Sequence, residues 1–220
     1  MRARITAATA VLLLASLTAC GGGDGDKPAE KPGTTAPGEP TSSGDPTGGS
    51  ESPGGGSTGG SEGGEGLALG EAAQTTGDGG TGVLEITPDT VVFSLTGSGE
   101  TAENGVFAVV TMKDKAMTAV AADEPAPISG GGWTWMTPDG EMIGWDSGNS
   151  SNVTLDKYSG ADPVQPGGYQ WRSQVFDLTP AQAKGGTLIY IDGENKAHRW
   201  KMPATDSGPH VAEVKKQLAP

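Results

Sequence analysis

The sequence predicts an all-β domain, an antiparallel two-sheet sandwich, placed after a signal peptide and a disordered linker. Three observations carry this reading. Composition breaks at Leu67, because all 5 Trp, 3 Tyr and 3 Phe lie from there onward. Beyond that point, short β-branched or aromatic runs alternate with Gly, Pro, Asp and Asn turns, which is the strand-and-turn signature. The long helical periods that a parallel α/β fold needs between strands are missing from the pattern.

Arg2 and Arg4 open the chain and an apolar run follows from Ile5 to Leu17. At 1.5 Å per residue such a run spans about 20 Å, short of the roughly 30 Å hydrocarbon core, so residues 1–19 are expected to be a signal peptide. The run ends in Leu17-Thr18-Ala19-Cys20, and Cys20 is the only cysteine among 220 residues. This segment resembles the lipobox of bacterial lipoproteins. The resemblance implies that the Cys20 thiol takes a diacylglyceryl group, that the chain is cut before it, and that the protein contacts the membrane through that anchor. Two acyl chains hold well where one is marginal. The implied location is the outer face of the cell membrane of a Gram-positive bacterium.

Residues 20–66 follow as a tether. From Gly21 to Gly66 there are 17 Gly, 6 Pro and 11 Ser or Thr, with no aromatic residue and no Val, Ile, Leu or Met. Nothing there can repay the entropy of ordering, so disorder is expected, with a root-mean-square span of about 35–40 Å. Eight acids against Lys27 and Lys31 favour extension. Asp24-Gly25-Asp26 begins like a calcium loop, but Pro28 and Ala29 break the ligand spacing.

The folded part is expected at 67–205, with 206–220 as a C-terminal tail. Val83–Ile86 and Val91–Leu95 read as two strands interrupted by Pro88-Asp89. Gly105–Met112 reads as a core strand, with Phe107 and Val109 on one face and Val106, Ala108, Val110 and Met112 on the other. Trp133–Met136 and Glu141–Trp145 flank Thr137-Pro138-Asp139-Gly140, whose proline and glycine suit a hairpin turn. Asn152–Tyr158, Tyr169–Leu178, Thr187–Ile191 and Ala197–Met202 complete the strands. Helix is expected in two places only: one turn after Thr179-Pro180, and a short amphipathic stretch from Val211 through Val214 and Leu218.

Pro166-Gly167-Gly168-Tyr169-Gln170-Trp171-Arg172-Ser173-Gln174-Val175-Phe176-Asp177-Leu178 resembles the signature of an immunoglobulin-like domain found in many Gram-positive secreted lipoproteins. Mycobacterial immunoprotective antigens share its general fold. Trp135–Glu141 is similar to that family's strand and DG turn, and Gly186–Pro203 to its closing hairpin; the likeness covers Val83 to Pro203. Where the family carries an Asn-containing turn, this chain has Lys113-Asp114-Lys115. The resemblance implies an immunoglobulin-like sandwich and brings no catalytic residues with it.

Charge and residue inventory narrow the function. The net charge of −13 argues against a nucleic-acid partner, which needs a basic face. Only His198 and His210 are available, so no zinc cluster is expected, and no cofactor or metal motif is present. There is no nucleophile elbow; Ser147 and Ser207 lie in turn-like sequence, and Gly130-Gly131-Gly132 is followed by no P-loop Gly-Lys-Ser/Thr. Asp139, Glu141 and Asp146 are expected to be solvated turn acids rather than a glycosidase pair.

The tryptophans of the hairpin are the candidate ligand contacts. Trp133 and Trp135 share one strand face and Trp145 lies on the partner strand. They either fill the core or form an exposed strip that stacks on sugar rings, and the alternation with Thr134 and Met136 does not decide between these. The expected function is a lipid-anchored surface lipoprotein with a non-enzymatic binding domain, its partner an envelope protein. A module binding wall glycan through Trp133, Trp135 and Trp145 is the first alternative. An envelope hydrolase using His198 with a serine or an acid is the second.

Overall fold

The computed structural model describes residues 66–219; the leader, Cys20 and the tether lie outside the described residues. Strands β1 (Leu67–Ala68), β2 (Ala73–Thr76), β3 (Val83–Ser94), β4 (Thr96–Gly97), β5 (Glu100–Thr101) and β6 (Val106–Ala116) come first. They are followed by β7 (Gly132–Met136), β8 (Met142–Gly144), β9 (Tyr169–Leu178), β10 (Thr187–Ile191), β11 (Ala197–Lys201) and one helix, α1 (Val211–Leu218). Two sheets form, ordered β2-β3-β6-β9 and β1-β11-β10-β7-β8, with β4 and β5 making a small separate ribbon. All pairings are antiparallel except β1 with β11. The expected antiparallel two-sheet sandwich is therefore present.

The two segments expected around Pro88-Asp89 form one strand. Pro88 pairs with Met112 and Thr90 with Thr111, so Asp89 is an extra residue, a bulge. The sequence shows why this is tolerated. Leu84 and Ile86 face the core at even positions, whereas Val91 and Phe93 face it at odd ones. A slip of one residue would otherwise turn half the strand inside out, and the bulge absorbs it. Asp89 also accepts the Thr111 hydroxyl at 3.0 Å, which fills the gap in the ladder.

Strand β6 runs through Lys113-Asp114-Lys115 to Ala116, rather than ending at a turn near Met112. Its faces are as expected: Ala108, Val110 and Met112 meet the second sheet, while Phe107 and Val109 point the other way. Asn152–Tyr158 differs from expectation. It forms two short 3-10 turns, Ser150–Asn152 and Asp156–Tyr158, instead of a strand. Val153, Leu155 and Tyr158 are buried there against Phe107, Val109 and Val175, so their apolar pattern serves packing onto a sheet rather than pairing within one. The segment after Thr179 makes a single turn fixed by a reciprocal cap: the Gln182 N–H donates to Thr179 Oγ1 and the Thr179 N–H to Gln182 Oε1.

Helix α1 closes this second core. Val214 and Leu218 are 0% and 2% exposed and join Val92, Phe107 and Val109 on the outer face of the β2-β3-β6-β9 sheet. The C-terminal tail is thus part of the fold, and this sheet is buried on both faces over much of its area. Truncating Leu218 to Ala is expected to cost about 2–5 kcal/mol in urea unfolding. Lys216→Ala, on the exposed side of the same helix, should fall within about 0.5 kcal/mol of wild type. Equal, small effects for both would show that the helix is not packed as described.

Candidate binding site

The hairpin tryptophans divide. Trp133 is 3% exposed and Trp135 is 0% exposed. Their rings lie in the core between the sheets, Trp133 at 4.6 Å from Tyr190 and Trp135 at 5.9 Å from Phe176. Each buried indole N–H finds an acceptor, Trp133 on Glu124 at 2.8 Å and Trp135 on the Gln182 carbonyl at 3.1 Å. Gly186 makes room for this: a Cβ there would come within 2.3 Å of Trp135 Nε1. An exposed strip of Trp133, Trp135 and Trp145 therefore does not form, because the inward face of β7 is the large-residue face. Trp145 alone of the three is exposed, at 41%.

The histidines and candidate acids are placed as follows. His198 Nε2 lies 2.8 Å from Asp192 Oδ2, with both side chains buried. Burial opposes ionisation of Asp192, but the His198 contact and the backbone N–H groups of Lys196, Thr76 and Glu194 together hold its carboxyl below the usual range. The pair thereby orders the turn between β10 and β11. The candidate serines act elsewhere: Ser147 Oγ accepts the Asp177 N–H, and Ser207 pairs through its backbone with Val91. His210 sits beside Asp89 at 3.4 Å and stacks edge-on to Trp171 at 4.9 Å. Asp139, Glu141 and Asp146 are exposed. Among the described residues no three His, Cys, Asp or Glu side chains are grouped to hold a metal ion.

A buried polar knot lies at one end of the sandwich. Arg172 on β9 contacts Asp114 on β6 (3.3 Å), Asp123 (2.8 Å) and Glu124 (3.9 Å), the last two on the segment that crosses to β7. Its Nη2 also donates to the Asp162 carbonyl at 2.9 Å. Asp114 is fully buried, and neither of its oxygens has a donor in hydrogen-bond geometry; Glu124 Oε1 is in the same position. Two ionised carboxylates have no proton to offer each other, whereas one protonated acid donates to its neighbour. Burial, with Glu124 close by, pushes the Asp114 carboxyl well above the usual carboxylate range. A proton on Asp114, donated towards Glu124, gives one of these carboxylate oxygens a donor and lowers the net negative charge of the cluster by one. Sequence reasoning passed over this knot. The signal was parity: Asp114 follows Val110 and Met112, and Arg172 precedes Phe176, on the inward face of adjacent strands.

Two pockets among the described residues have the features of a contact surface. One is an apolar groove of about 410 Å³ at the end of the sandwich, lined by Phe93, Leu95, Val106, Pro180 and Ala183, with Lys184 and Asp206 also lining it. Leu95 is 68% exposed beside it. The other is a smaller pocket on the outer face of the β2-β3-β6-β9 sheet, where α1 does not reach.

No family model matches this chain, and no curated protein matches it. Two solved structures are similar in outline. One is an uncharacterized β-sandwich protein from Clostridium difficile, 15% identical, covering 64% of this chain and 97% of its own, with a TM-score of 0.40. The other is a conserved hypothetical protein from Bacillus anthracis, 14% identical, covering 60% and 94%, with a TM-score of 0.36. The sandwich is defined by the strand pairing of the chain itself.

Arg172→Ala should destabilise the domain by about 3–5 kcal/mol, because it strands buried carboxylates without their cation. Asp114→Asn keeps the shape and a donor towards Glu124, so its stability near neutrality should match or exceed wild type. Asp114 binds its proton more tightly folded than unfolded. Its contribution is therefore full below the usual carboxylate range and is lost as pH rises through the raised native value. Urea midpoints across pH should show that decline in wild type and not in Asp114→Asn; parallel profiles would contradict a protonated Asp114.

Proposed function

We propose that the protein is a lipid-anchored lipoprotein on the outer face of a Gram-positive cell membrane, and that its sandwich binds an envelope protein without catalysing a reaction. The lipobox-like Leu17-Thr18-Ala19-Cys20 supports the anchor and the Gly-, Ser- and Pro-rich segment after it supports a spacer. Anchoring near a partner raises its effective concentration, so a modest contact surface is enough.

The observation that carries the binding reading is the apolar groove beside Leu95. Leu95 at its rim extends the apolar surface of the groove, and pockets lined by apolar side chains with a few charges at hand suit recognition of a ligand or partner. Its occupant is an apolar segment of another envelope protein.

Two experiments on the full chain in Gram-positive cells test this. Metabolic labelling with an alkyne fatty acid should mark wild type and leave Cys20→Ala unlabelled; equal labelling or none would remove the anchor. A photo-crosslinker at Thr205, on the groove, should give a discrete adduct with one envelope protein, and Leu95→Glu should abolish it. An adduct unaffected by Leu95→Glu, or one formed only with a second copy of the chain, would overturn the groove as the partner site.

A further inference from the structure

The outer face of the β2-β3-β6-β9 sheet carries a second surface, independent of the groove. Strand register sets Glu85, Lys115 and Tyr169 in one row across β3, β6 and β9, and Thr87, Lys113 and Trp171 in the next. The inward neighbours on these strands, Leu84, Ile86, Met112 and Ala116, fill the core, so by alternation the two rows face outward. Helix α1 and residues 150–158 cover the half of this face where Phe107, Val109 and Val175 lie, and the cover reaches Trp171 at the end of the second row, which packs on Tyr158 and His210. The uncovered half forms a pocket of about 280 Å³ lined by Glu85, Thr87, Lys113, Lys115, Gly167 and Tyr169.

The pocket combines an exposed aromatic ring with two lysines. Tyr169 is 57% exposed, and the Lys113 ammonium stands 4.3 Å from the centre of its ring. Lys115 reaches Glu85 at 3.9 Å. Two cations against one acid make this a locally positive spot on a part of the chain that holds 19 acids and 10 bases from Leu67 onward. Charges more than about 8 Å away are largely screened at physiological salt, so a ligand lying in the pocket meets this local sign.

We propose that this platform binds an acidic glycan, a chain of sugar rings carrying carboxylates. The apolar face of a sugar ring lies on Tyr169, its carboxylate pairs with Lys113 or Lys115, and Glu85 and Thr87 take ring hydroxyls. A neutral glycan leaves the two lysines unused, and a polyanion without rings leaves Tyr169 unused. A nucleic acid would want more than two cations, since its affinity comes chiefly from phosphates neutralised.

Calorimetric titration of the full chain, carrying Cys20→Ser and held in detergent, tests the assignment. The probes are a galacturonic acid hexamer, a neutral N-acetylglucosamine hexamer, polyglutamate and a single-stranded oligonucleotide. The galacturonate hexamer should bind, and bind less well at high salt. Tyr169→Ala should weaken it by about 10-fold or more, the loss typical of an aromatic anchor. Tyr169→Phe should bind as wild type, and Lys113→Gln with Lys115→Gln should weaken binding and flatten its salt dependence. These changes are at the surface, and matching urea midpoints would show that the fold is kept. No binding of the galacturonate hexamer, or unchanged affinity in Tyr169→Ala, would overturn the proposal. So would equal affinity for the neutral hexamer, for polyglutamate or for the oligonucleotide.

Discussion

The guanidinium of Arg172 is the point on which one end of the sandwich depends. It belongs to β9, yet its partners are Asp114 on β6 and Asp123 and Glu124 on the segment crossing to the other sheet. Glu124 in turn accepts the Trp133 indole N–H, and Trp133 packs on Tyr190 and Trp200. A single buried cation thus links the two sheets through one chain of contacts. Isolated charges are costly in such a place, and pairs are tolerated only when the remaining polar atoms are satisfied. Burial with Glu124 close by pushes the Asp114 carboxyl well above the usual range, so this acid is the one in the cluster most ready to hold a proton, while Asp123 keeps a third of its side chain in solvent.

The other buried acids show the alternative solution. Asp177 accepts the backbone N–H groups of Glu103, Asn104 and Asn149, and so pins two loops at the opposite end of β9. Asp192 does the same for the turn between β10 and β11. Backbone amides aimed at a carboxylate favour its charged form, and at Asp192 the His198 contact adds to them. Asp114 sits on a paired strand, where backbone amides are already engaged in the ladder, and its carboxyl is pushed up instead. Together these acids fix the ends of the sheets, and the end groove and the uncovered half of one outer face lie outside their reach.

Much of the fold was legible because strands announce themselves by local rules. Tyr169–Leu178 and Thr187–Ile191 have the bounds their residue pattern suggested, and the Pro138-Asp139-Gly140 turn closes its hairpin with Gly140 at φ +91°. The readings that the structure changed, and the one it decided, share one cause: they depended on what lay across the chain. The period-2 phase slip at Asp89 looks like a break until β6 is seen running past both halves. Val153, Leu155 and Tyr158 look like a strand, but the neighbour they meet is a sheet face. Trp133 and Trp135 were known to share a face, and only the second sheet says that the face is inward. Lys113 and Lys115 look like turn residues until their outward parity beside an inward Asp114 is read against a continuing strand.

The central claim is a neutral acid inside the sandwich, and side-chain carboxyl carbon NMR reads it directly. With the full chain labelled at Asp and Glu carboxyl carbons, the account predicts one aspartate resonance at the protonated position at neutral pH. That resonance should be absent from Asp114→Asn and should move to the ionised position only well above the range where the other carboxyls titrate. A spectrum in which every Asp and Glu carboxyl is ionised at neutral pH would contradict it, and the knot around Arg172 would then need another source of charge balance.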